Sequence, residues 1–426
     1  MYFARLLVSL HNFNMRQLRN SILLGVLLVC WCGIVRAQDS LSTSAQESIP
    51  LRFSVLTCTP GTDAYAHFGH TAILLEDTVR KQNAVFNYGC FDDSQKFFIL
   101  NFVAGNTNYL LEAETLGFFL WRYSLTGNGV CRQELNLTPK ESQRLLELLA
   151  VNMRKENQTY LYNWLYDNCT ERARDIIEKA IDGTVVYEKK HQEKTVRTML
   201  HEKLQNAPWL QLGIDIILGS EIDQNVDKRI QMFMPDFYES ELNEAFITDG
   251  QNEKRPLIKN VEIMQEPTEL SKEVASPLNP TIAFSIMLAI AVCISAFDIT
   301  KNRLSLWFDI LMLLAQGITG IVVAGLFFFS KHPAVDSNWM VIAFNPLYIV
   351  LAIYLVYNWK TGNSNQWRIK AEYANMAVLI AFYLTSLLTK QWFNPVVYIM
   401  VSALQIRSGV RVNYFYKQMK KNLKNK

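Results

Sequence analysis

The pattern of hydrophobic and polar positions divides this chain of 426 residues into two parts. Over residues 38–265, apolar positions either alternate with polar ones, as in strands, or recur at helical spacing, as in the helices of a globular domain. A polar segment punctuated by proline follows over 266–279, and beyond it the chain is mostly apolar. We therefore predict a folded domain, a linker and a membrane domain.

Five apolar segments within residues 280–412 are candidates for membrane-spanning helices. They lie at about 280–298, 305–329, 339–357, 375–389 and 394–410. The last two are short or interrupted, so their ends are poorly defined. An odd number of spans is required, because four would leave the basic tail at 413–426 on the same side of the membrane as the first domain.

The charges of the loops between these segments predict on which side of the membrane each loop lies. The predicted inner loops carry five basic residues: Lys301, Arg303, Lys360, Arg368 and Lys370. The predicted outer loops carry only Lys331 and Lys390. This asymmetry follows the positive-inside rule if the first domain lies outside and the C-terminus lies in the cytoplasm.

Residues 1–37 have the pattern of a secretory signal. Arg16 and Arg19 precede an apolar run over 22–31, and small residues at positions 35 and 37 fit cleavage before Gln38. An uncleaved first transmembrane helix is the alternative, and in both cases the next domain is exported. The net charge of +3 suggests no nucleic-acid partner, since the basic residues of the tail suit a membrane surface.

Within the exported domain, period-2 alternation predicts strands and helical periodicity predicts helices. The predicted strands are 51–58, 70–75, 84–88 and 130–137. The predicted helices are 139–153, a helix starting at Cys169, 195–204, 210–218 and 236–246, with apolar helical or mixed segments at 97–103 and 116–123. Thr138 and Glu141 form a predicted capping box, with Pro139 at the first helical position.

Cys169 stands at the start of its predicted helix and is the candidate nucleophile. Either Asp167 or Asn168 can cap this helix, and Asp182-Gly183 ends it. A thiol in the first turn lies near the positive end of the helix dipole, which favours the thiolate. With a histidine from a strand, such a cysteine can attack a carbonyl group. The alternative is a small buried hydrophobic residue, because four apolar residues share its face: Ala173, Ile176, Ile177 and Ala180.

His70 begins a predicted strand and is the candidate general base, with a structural role as the alternative. His67 suits the structural role better. Asn87, on the neighbouring strand, is the candidate that orients the imidazole, with Tyr88 behind it, and strand-end hydrogen bonding is its alternative role. Backbone N–H groups at the start of the Cys169 helix are candidates for holding an oxyanion. The His and Cys spacings do not match a zinc site, so we expect neither a metal nor a cofactor.

Two further groups of residues have alternative roles. Arg172, Arg174 and Asp175 are expected to form a structural set of ion pairs on their helix, and contact of an arginine with a phosphate is the alternative. Five aromatic residues either border an access path for lipid or belong to the core: Phe97, Phe98, Phe118, Phe119 and Trp121.

Four cysteines lie in the exported domain, where the compartment is oxidising. If Cys169 stays reduced, the other three can form at most one disulfide. The favoured pair is Cys90 with Cys131, and the alternative is that Cys58, Cys90 and Cys131 are all buried thiols.

Seven segments of this chain occur in the order of a known family. They are Ser54–Gly61, His67–Thr71, Phe86–Gly89, Tyr162–Thr170, Arg172–Asp175, Leu212–Gly219 and Met232–Pro235. Together they resemble the Lnb-type lipoprotein N-acyltransferases, which have an N-terminal periplasmic domain ahead of membrane spans. The resemblance covers roughly residues 50–260, and Cys90, Asp93 and Cys131 depart from the usual pattern.

A histidine strand followed much later by Asn-Cys on a helix is also similar to permuted papain-like folds, such as lecithin:retinol acyltransferase and circularly permuted NlpC-type hydrolases. The resemblance implies an α+β permuted papain-like (NlpC-type) periplasmic domain, followed by an all-α membrane domain of five helices. It further implies that Cys169 is the nucleophile and His70 the base, and Asn87, Tyr88, Asn168 and Arg172 are supporting candidates.

The resemblance implies an acyltransferase of the inner membrane. Its acyl donor would be a membrane phospholipid, and its acceptor the α-amino group of the N-terminal diacylglyceryl cysteine of a lipoprotein. The first alternative is a membrane-anchored cysteine hydrolase, either a cell-wall peptidase or a phospholipase. The second is a scaffold without enzymatic activity, which would tolerate the loss of Cys169.

Overall fold

The computed structural model describes residues 51–63, 66–91, 96–188, 193–248, 253–272, 277–361 and 366–424. The predicted signal sequence and Asp93 lie outside these ranges.

A seven-stranded antiparallel sheet forms the centre of the first domain, with the strand order β10-β5-β1-β2-β3-β4-β6. Its strands are β1 (Leu51–Cys58), β2 (His70–Asp77), β3 (Gln82–Cys90), β4 (Asn108–Glu114), β5 (Val130–Leu135), β6 (Thr159–Leu161) and β10 (Ile258–Gln265). A smaller sheet pairs β7 (Thr184–Tyr187), β8 (Ala245–Thr248) and β9 (Lys254–Pro256). The predicted strands β1, β2, β3 and β5 are present, and β4 and β10 were not predicted.

Eight helices surround these sheets in the described part of the domain. They are α1 (Phe98–Val103), α2 (Leu116–Thr126), α3 (Pro139–Asn152), α4 (Cys169–Ala180), α5 (Val196–Lys203), α6 (Pro208–Ile217), α7 (Lys228–Gln231) and α8 (Pro235–Leu242). The predicted capping box is present at the start of α3, where Thr138 and Glu141 exchange hydrogen bonds.

The central strands are buried on both faces of the sheet, and helices of the domain cover each face. On one face, Val55 and Ile73 pack with apolar residues of α3 and α4, including Leu145 and Ile177. On the other face, Leu56, Ala72 and Leu74 pack against Phe119 of α2. Successive strand residues point to opposite faces, so the short strands β1 and β2 contribute to two hydrophobic cores.

Two predictions for this domain are wrong. The helix predicted over 236–246 ends at Leu242, and the following residues form β8, whose sequence Ala-Phe-Ile-Thr suits a strand. The favoured disulfide is absent, since Cys90 and Cys131 are both free thiols. They lie on β3 and β5, which β1 and β2 separate in the sheet. Three strand spacings of about 4.8 Å place them about 14 Å apart, beyond the reach of a disulfide.

Helices are the regular secondary structure of the described residues in the second part. They are α9 (Pro280–Lys301), α10 (Leu306–Phe329), α11 (Met340–Ala343), α12 (Leu347–Thr361), α13 (Gln366–Leu388) and α14 (Pro395–Lys424). Four segments are long and apolar enough to cross a membrane: Pro280–Lys301, Leu306–Phe329, Met340–Lys360 and Gln366–Leu388. The fifth predicted segment lies within α14, a helix of 30 residues.

Charged residues inside the helical bundle join α14 to its neighbours. Arg407 donates to both carboxylate oxygens of Asp309, at 2.8 and 2.9 Å, and to Asp298 at 2.9 Å. Arg411 donates to Glu372 at 2.7 and 2.9 Å and to Asp309 at 2.8 Å. All five side chains are fully buried. Because buried charges are costly unless paired, this network explains how α14 places two arginines within the bundle.

The two parts are joined by polar contacts as well as by the chain. Asp215 of α6 accepts hydrogen bonds from Arg197 at 2.9 Å and from Asn394, which precedes α14, at 2.9 Å. Asn338, in the loop between α10 and α11, donates to the carbonyl oxygen of Ile216 at 2.8 Å. No role was predicted for Asn394, and in the structure it bridges the domain and the bundle.

Candidate active site

Cys169 is the first residue of α4, and Asn168 caps this helix. The Asn168 Oδ1 atom accepts hydrogen bonds from the N–H groups of Thr170 at 2.8 Å and Glu171 at 3.1 Å. Its Nδ2 group donates to the carbonyl oxygens of Trp164 and Phe233. Of the two capping candidates, Asn168 is therefore the cap in the structure. Its side chain fixes where the helix begins and so fixes the position of the Cys169 thiol.

His70 is the first residue of β2, and its neighbour Thr71 hydrogen bonds through its hydroxyl with the hydroxyl of Thr170 at 3.1 Å, which places the imidazole beside the Cys169 thiol. The Nε2 atom of His70 lies 2.8 Å from Oδ1 of Asn87 on β3. An amide oxygen only accepts hydrogen bonds, so Nε2 carries the proton in this contact and Nδ1 of the neutral ring is left as the proton acceptor. The structure thus brings together Cys169, His70 and Asn87, the residues that the sequence predicted for the site.

The thiol and the imidazole favour each other's charged forms. Burial raises the pKa of Cys169, but the charge and hydrogen bond of His70 outweigh it, with help from the Thr71 N–H and the Thr170 hydroxyl, and the pKa falls from 9.0 to about 7. Burial lowers the pKa of His70, but the charge of Cys169 and its hydrogen bond more than compensate, so this pKa is raised above 6.5. Both shifts favour a thiolate–imidazolium pair near neutral pH.

The hydrogen bonds continue beyond Asn87 to residues that the sequence did not single out. The Nδ2 group of Asn87 donates to Oε1 of Glu114 at 2.5 Å, and Arg122 donates to the same oxygen at 2.5 Å. Glu114 ends β4, which pairs with β3, and Arg122 lies on α2. No local signal marks Glu114, because its proximity to Asn87 depends on the pairing of two strands that are distant in sequence.

Small and aromatic residues shape the space around the thiol. Gly89 has a φ of +88°, and a Cβ atom there would lie 3.7 Å from Cβ of Cys169. Tyr123 of α2 stacks on His70 with ring centroids 6.5 Å apart. Glycine therefore allows the strand, next to the sulfur, a backbone conformation that residues with side chains rarely adopt. Tyr123 covers one face of the imidazole.

The other supporting candidates lie beside the site and have structural partners. Tyr88 is buried in the core, and its hydroxyl accepts a hydrogen bond from Asn152 at 2.8 Å. Arg172 donates to both oxygens of Asp167, at 2.6 and 2.7 Å, and lies 3.5 Å from the Tyr160 ring centroid. The expected set of ion pairs is present in part: Arg174 donates to Asp175 at 3.0 Å, whereas Arg172 pairs with Asp167.

The expectation for an oxyanion hole also changes. The N–H groups of Thr170 and Glu171 already donate to Asn168, so they are not available to a substrate. Within the described part of the chain, the Cys169 N–H has no acceptor, and it remains a donor at the start of the helix. His67 has the structural role expected of it, because its Nδ1 donates to the carbonyl oxygen of Asp63 at 2.8 Å.

The aromatic candidates fall into two groups. Phe119 is fully buried against the sheet and belongs to the core. Phe97, Phe118 and Trp121 are exposed at 61, 39 and 52%. The Phe98 side chain lies outside what the structure describes. Among the described residues there is no group of three or more His, Cys, Asp or Glu side chains that could hold a metal ion.

Two protein-family models match the chain. The Lnb N-terminal periplasmic domain matches residues 40–202, and the Lnb transmembrane domain matches residues 271–419. Together they cover nearly three quarters of the sequence. No curated protein and no solved structure matches it. The first match contains Cys169, His70, Asn87 and Glu114, so the whole hydrogen-bonded chain lies within a periplasmic domain.

Proposed function

The chain belongs to the Lnb family, with a periplasmic domain followed by an inner-membrane domain, and from this premise we propose that it is a lipoprotein N-acyltransferase. The catalytic pair is Cys169 and His70, and the acyl group passes through a thioester on Cys169. The observation that carries this proposal is the placement of Cys169 at the capped start of α4 beside His70, whose Nε2 lies 2.8 Å from Oδ1 of Asn87. The lowered pKa of the thiol and the raised pKa of the imidazole agree with this placement. We also propose that the periplasmic domain has a permuted papain-like fold, because the strand that begins with His70 precedes the Asn168-Cys169 helix in the chain.

In the first step, the Cys169 thiolate attacks an ester carbonyl of a phospholipid. A C–S bond forms and the ester C–O bond breaks, while the His70 imidazolium gives its proton to the departing lysophospholipid oxygen. The Cys169 N–H is the donor placed to stabilise the oxyanion, because Asn168 occupies the next two N–H groups. The products are an acyl-enzyme and a lysophospholipid.

In the second step, the α-amino group of a diacylglyceryl cysteine attacks the thioester. A C–N bond forms, the C–S bond breaks, and neutral His70 takes a proton from the attacking amine. This restores the thiolate–imidazolium pair for the next cycle. The reaction needs no oxidant and no cofactor, because an ester is exchanged for an amide through a thioester.

The supporting residues act on the imidazole and on the helix start. Asn87 fixes the ring by accepting from Nε2, and Asn168 fixes the position of Cys169. Arg172 and Tyr88 hold the surrounding structure through Asp167 and Asn152. We also propose α14 as a fifth membrane span, because the paired burial of Arg407 and Arg411 removes the main obstacle to their place within a bilayer.

Mass spectrometry of lipoprotein N-terminal peptides tests the function. The wild type and the variant Cys169→Ser would be expressed in cells that lack lipoprotein N-acylation. Cys131→Ala is a matched control, because Cys131 lies on β5, two strands away from the strand that carries His70. We expect an added acyl mass with the wild type and the control, and at most a trace with Cys169→Ser. No added mass with the wild type excludes the transferase, and release of free fatty acid alone favours a hydrolase. Full activity of Cys169→Ser excludes the thioester.

A further inference from the structure

Helices α1 and α2 carry apolar side chains that are exposed, and together these form the apolar surface. It consists of Phe97, Leu100, Phe118, Trp121 and Leu125, exposed at 61, 65, 39, 52 and 60%. We propose that this surface inserts into the outer leaflet of the bilayer and delivers a phospholipid to Cys169. This inference rests on the proposed function and adds to it the route by which the acyl donor arrives.

Helix α1 is fixed to the end of a candidate span. The N–H of Lys331 donates to the carbonyl oxygen of Ala104 at 3.1 Å, and His332 Nε2 donates to that of Phe102 at 2.5 Å. Lys331 follows the end of α10 at Phe329, whose side chain is 80% exposed. Because α1 has only six residues, its length of about 9 Å keeps its exposed side chains close to the end of that span.

Helix α2 is fixed to the segment that leads into α9. The N–H of Thr268 donates to the carbonyl oxygen of Gly127 at 2.8 Å, directly after α2. Gly127 has a φ of +74°, and a Cβ atom there would lie only 2.3 Å from the Thr268 hydroxyl, so the contact is close. The nearby Leu270 is 68% exposed. Both helices are therefore held by chain segments that enter or leave the membrane domain.

The two faces of α2 connect this surface to the catalytic pair. Phe118, Trp121 and Leu125 share the outer face at helical spacing. Tyr123, on the inner face, stacks on His70. One helix, about 10 Å across, thus separates the proposed bilayer contact from the imidazole. A phospholipid ester at the interface has to move only a short distance to reach the sulfur, while its acyl chain stays on apolar side chains.

A lipid bilayer suits this surface better than a protein partner does. Phe328 and Phe329 are exposed at the end of α10, a helix long and apolar enough to cross a membrane, so the bilayer is expected at this end of α10 without any partner protein. Arg122 lies on the same helix, and its side chain is 45% exposed, as suits a group near lipid phosphates. The surface is therefore a continuation of the contact between the membrane domain and lipid.

Photocrosslinking in proteoliposomes tests the contact without requiring catalysis. Benzoylphenylalanine would replace Leu125 in one full-length protein and Val79 in another. Val79 is 68% exposed and lies beyond the far end of β2 from His70, so it is a matched control. We expect crosslinks to phospholipid from position 125 and none above background from position 79. Equal lipid crosslinking at both positions, or crosslinking from 125 to protein alone, overturns the proposal.

A second experiment measures delivery of the acyl donor. In the variant Phe118→Gln/Trp121→Gln/Leu125→Gln, we expect acyl-enzyme formation from vesicle phospholipid to slow at least about tenfold, because three apolar contacts with lipid are lost. Alkylation of Cys169 by iodoacetamide should stay at the wild-type rate, which shows an intact site, and Val79→Gln should match the wild type in both assays. Wild-type acylation by the triple variant overturns the proposal. If the wild type forms no acyl-enzyme, the proposed function has failed, and the crosslinking result still decides whether the surface contacts lipid.

Discussion

Asn87 donates its side-chain N–H to Glu114 at 2.5 Å, and this contact fixes which end of the amide faces His70. A carboxylate accepts hydrogen bonds and cannot donate them, so the amide nitrogen turns to Glu114 and the oxygen to His70. The oxygen in turn holds the Nε2 proton of the imidazole. The carboxylate of Glu114 therefore determines the tautomer of the His70 ring, although the two side chains are not in contact.

Replacing Asn87 by alanine should lower acyl transfer and leave the fold intact. The lost hydrogen bond orients the imidazole and is worth about 1.4 kcal/mol, which corresponds to a tenfold lower rate. The measurement is the initial rate of lipoprotein N-acylation in proteoliposomes, alongside thermal unfolding. An unchanged rate would show that Asn87 serves only the end of its strand.

Glu114→Leu should have an effect similar to that of Asn87→Ala, because its action passes through the amide. In the double variant Asn87→Ala/Glu114→Leu, the rate should be no lower than in Asn87→Ala alone, since contacting residues in one network are not additive. Glu114→Gln is the control, because its amide oxygen can still accept from Asn87. Full additivity in the double variant would mean that Glu114 acts by another route, such as through Arg122.

The pH dependence of Cys169 alkylation reports the thiolate–imidazolium pair. The rate should rise with a midpoint of about pH 7, against about 9 for an ordinary thiol. In His70→Ala, the interactions that lower the pKa most are lost while burial still raises it, so the midpoint should move up and the rate at pH 7 should fall at least about tenfold. Peptide mass spectrometry identifies the reacting residue, and Cys90 and Cys131 should react slowly because burial raises the pKa of each to about 12. An equal midpoint in both proteins would contradict the pairing.

The features that the sequence predicts correctly are those that depend on neighbouring residues. The alternation of β1, β2 and β3, the capping box of α3 and the polar cap before Cys169 are all encoded within a few positions. His70 and Asn87 were also found, because the strands that carry them are consecutive and pair with each other. Local pattern thus brings together the residues of the candidate site.

Features that depend on the order of strands or on the packing of distant segments could not be predicted. Glu114 reaches Asn87 only because β4 pairs with β3, and the Cys90–Cys131 disulfide was expected because the spacing of cysteines along the chain does not reveal the order of strands. The contact of Asn394 with Asp215 joins residues 179 positions apart. Hydrophobic pattern gives no information on such polar partners.

Asp215→Ala should destabilise the interface between the periplasmic domain and the helical bundle. Asp215 is fully buried and accepts from Arg197, His201 and Asn394, so its removal leaves a buried guanidinium with fewer acceptors. Breaking a buried charge pair costs about 3–5 kcal/mol, which should clearly lower the midpoint of thermal unfolding. Lys272→Ala is the control, because its ion pair with Glu269 is exposed at 66 and 86% and contributes at most about 1 kcal/mol. Similar midpoints of thermal unfolding for the two variants would show that the stability of the interface does not depend on Asp215.

The membrane topology gives a prediction about α14. If α14 is the fifth span, its basic end lies in the cytoplasm, opposite the periplasmic domain. Alkaline phosphatase fused after Lys424 should then be inactive, and a fluorescent protein fused there should fluoresce. The same reporters fused after Lys390, which follows four spans, should give the opposite pattern, because that junction lies outside. Active phosphatase at both positions would place α14 on the outer surface of the bilayer, and the buried pairs of Arg407 with Asp298 and Asp309 would then need another explanation.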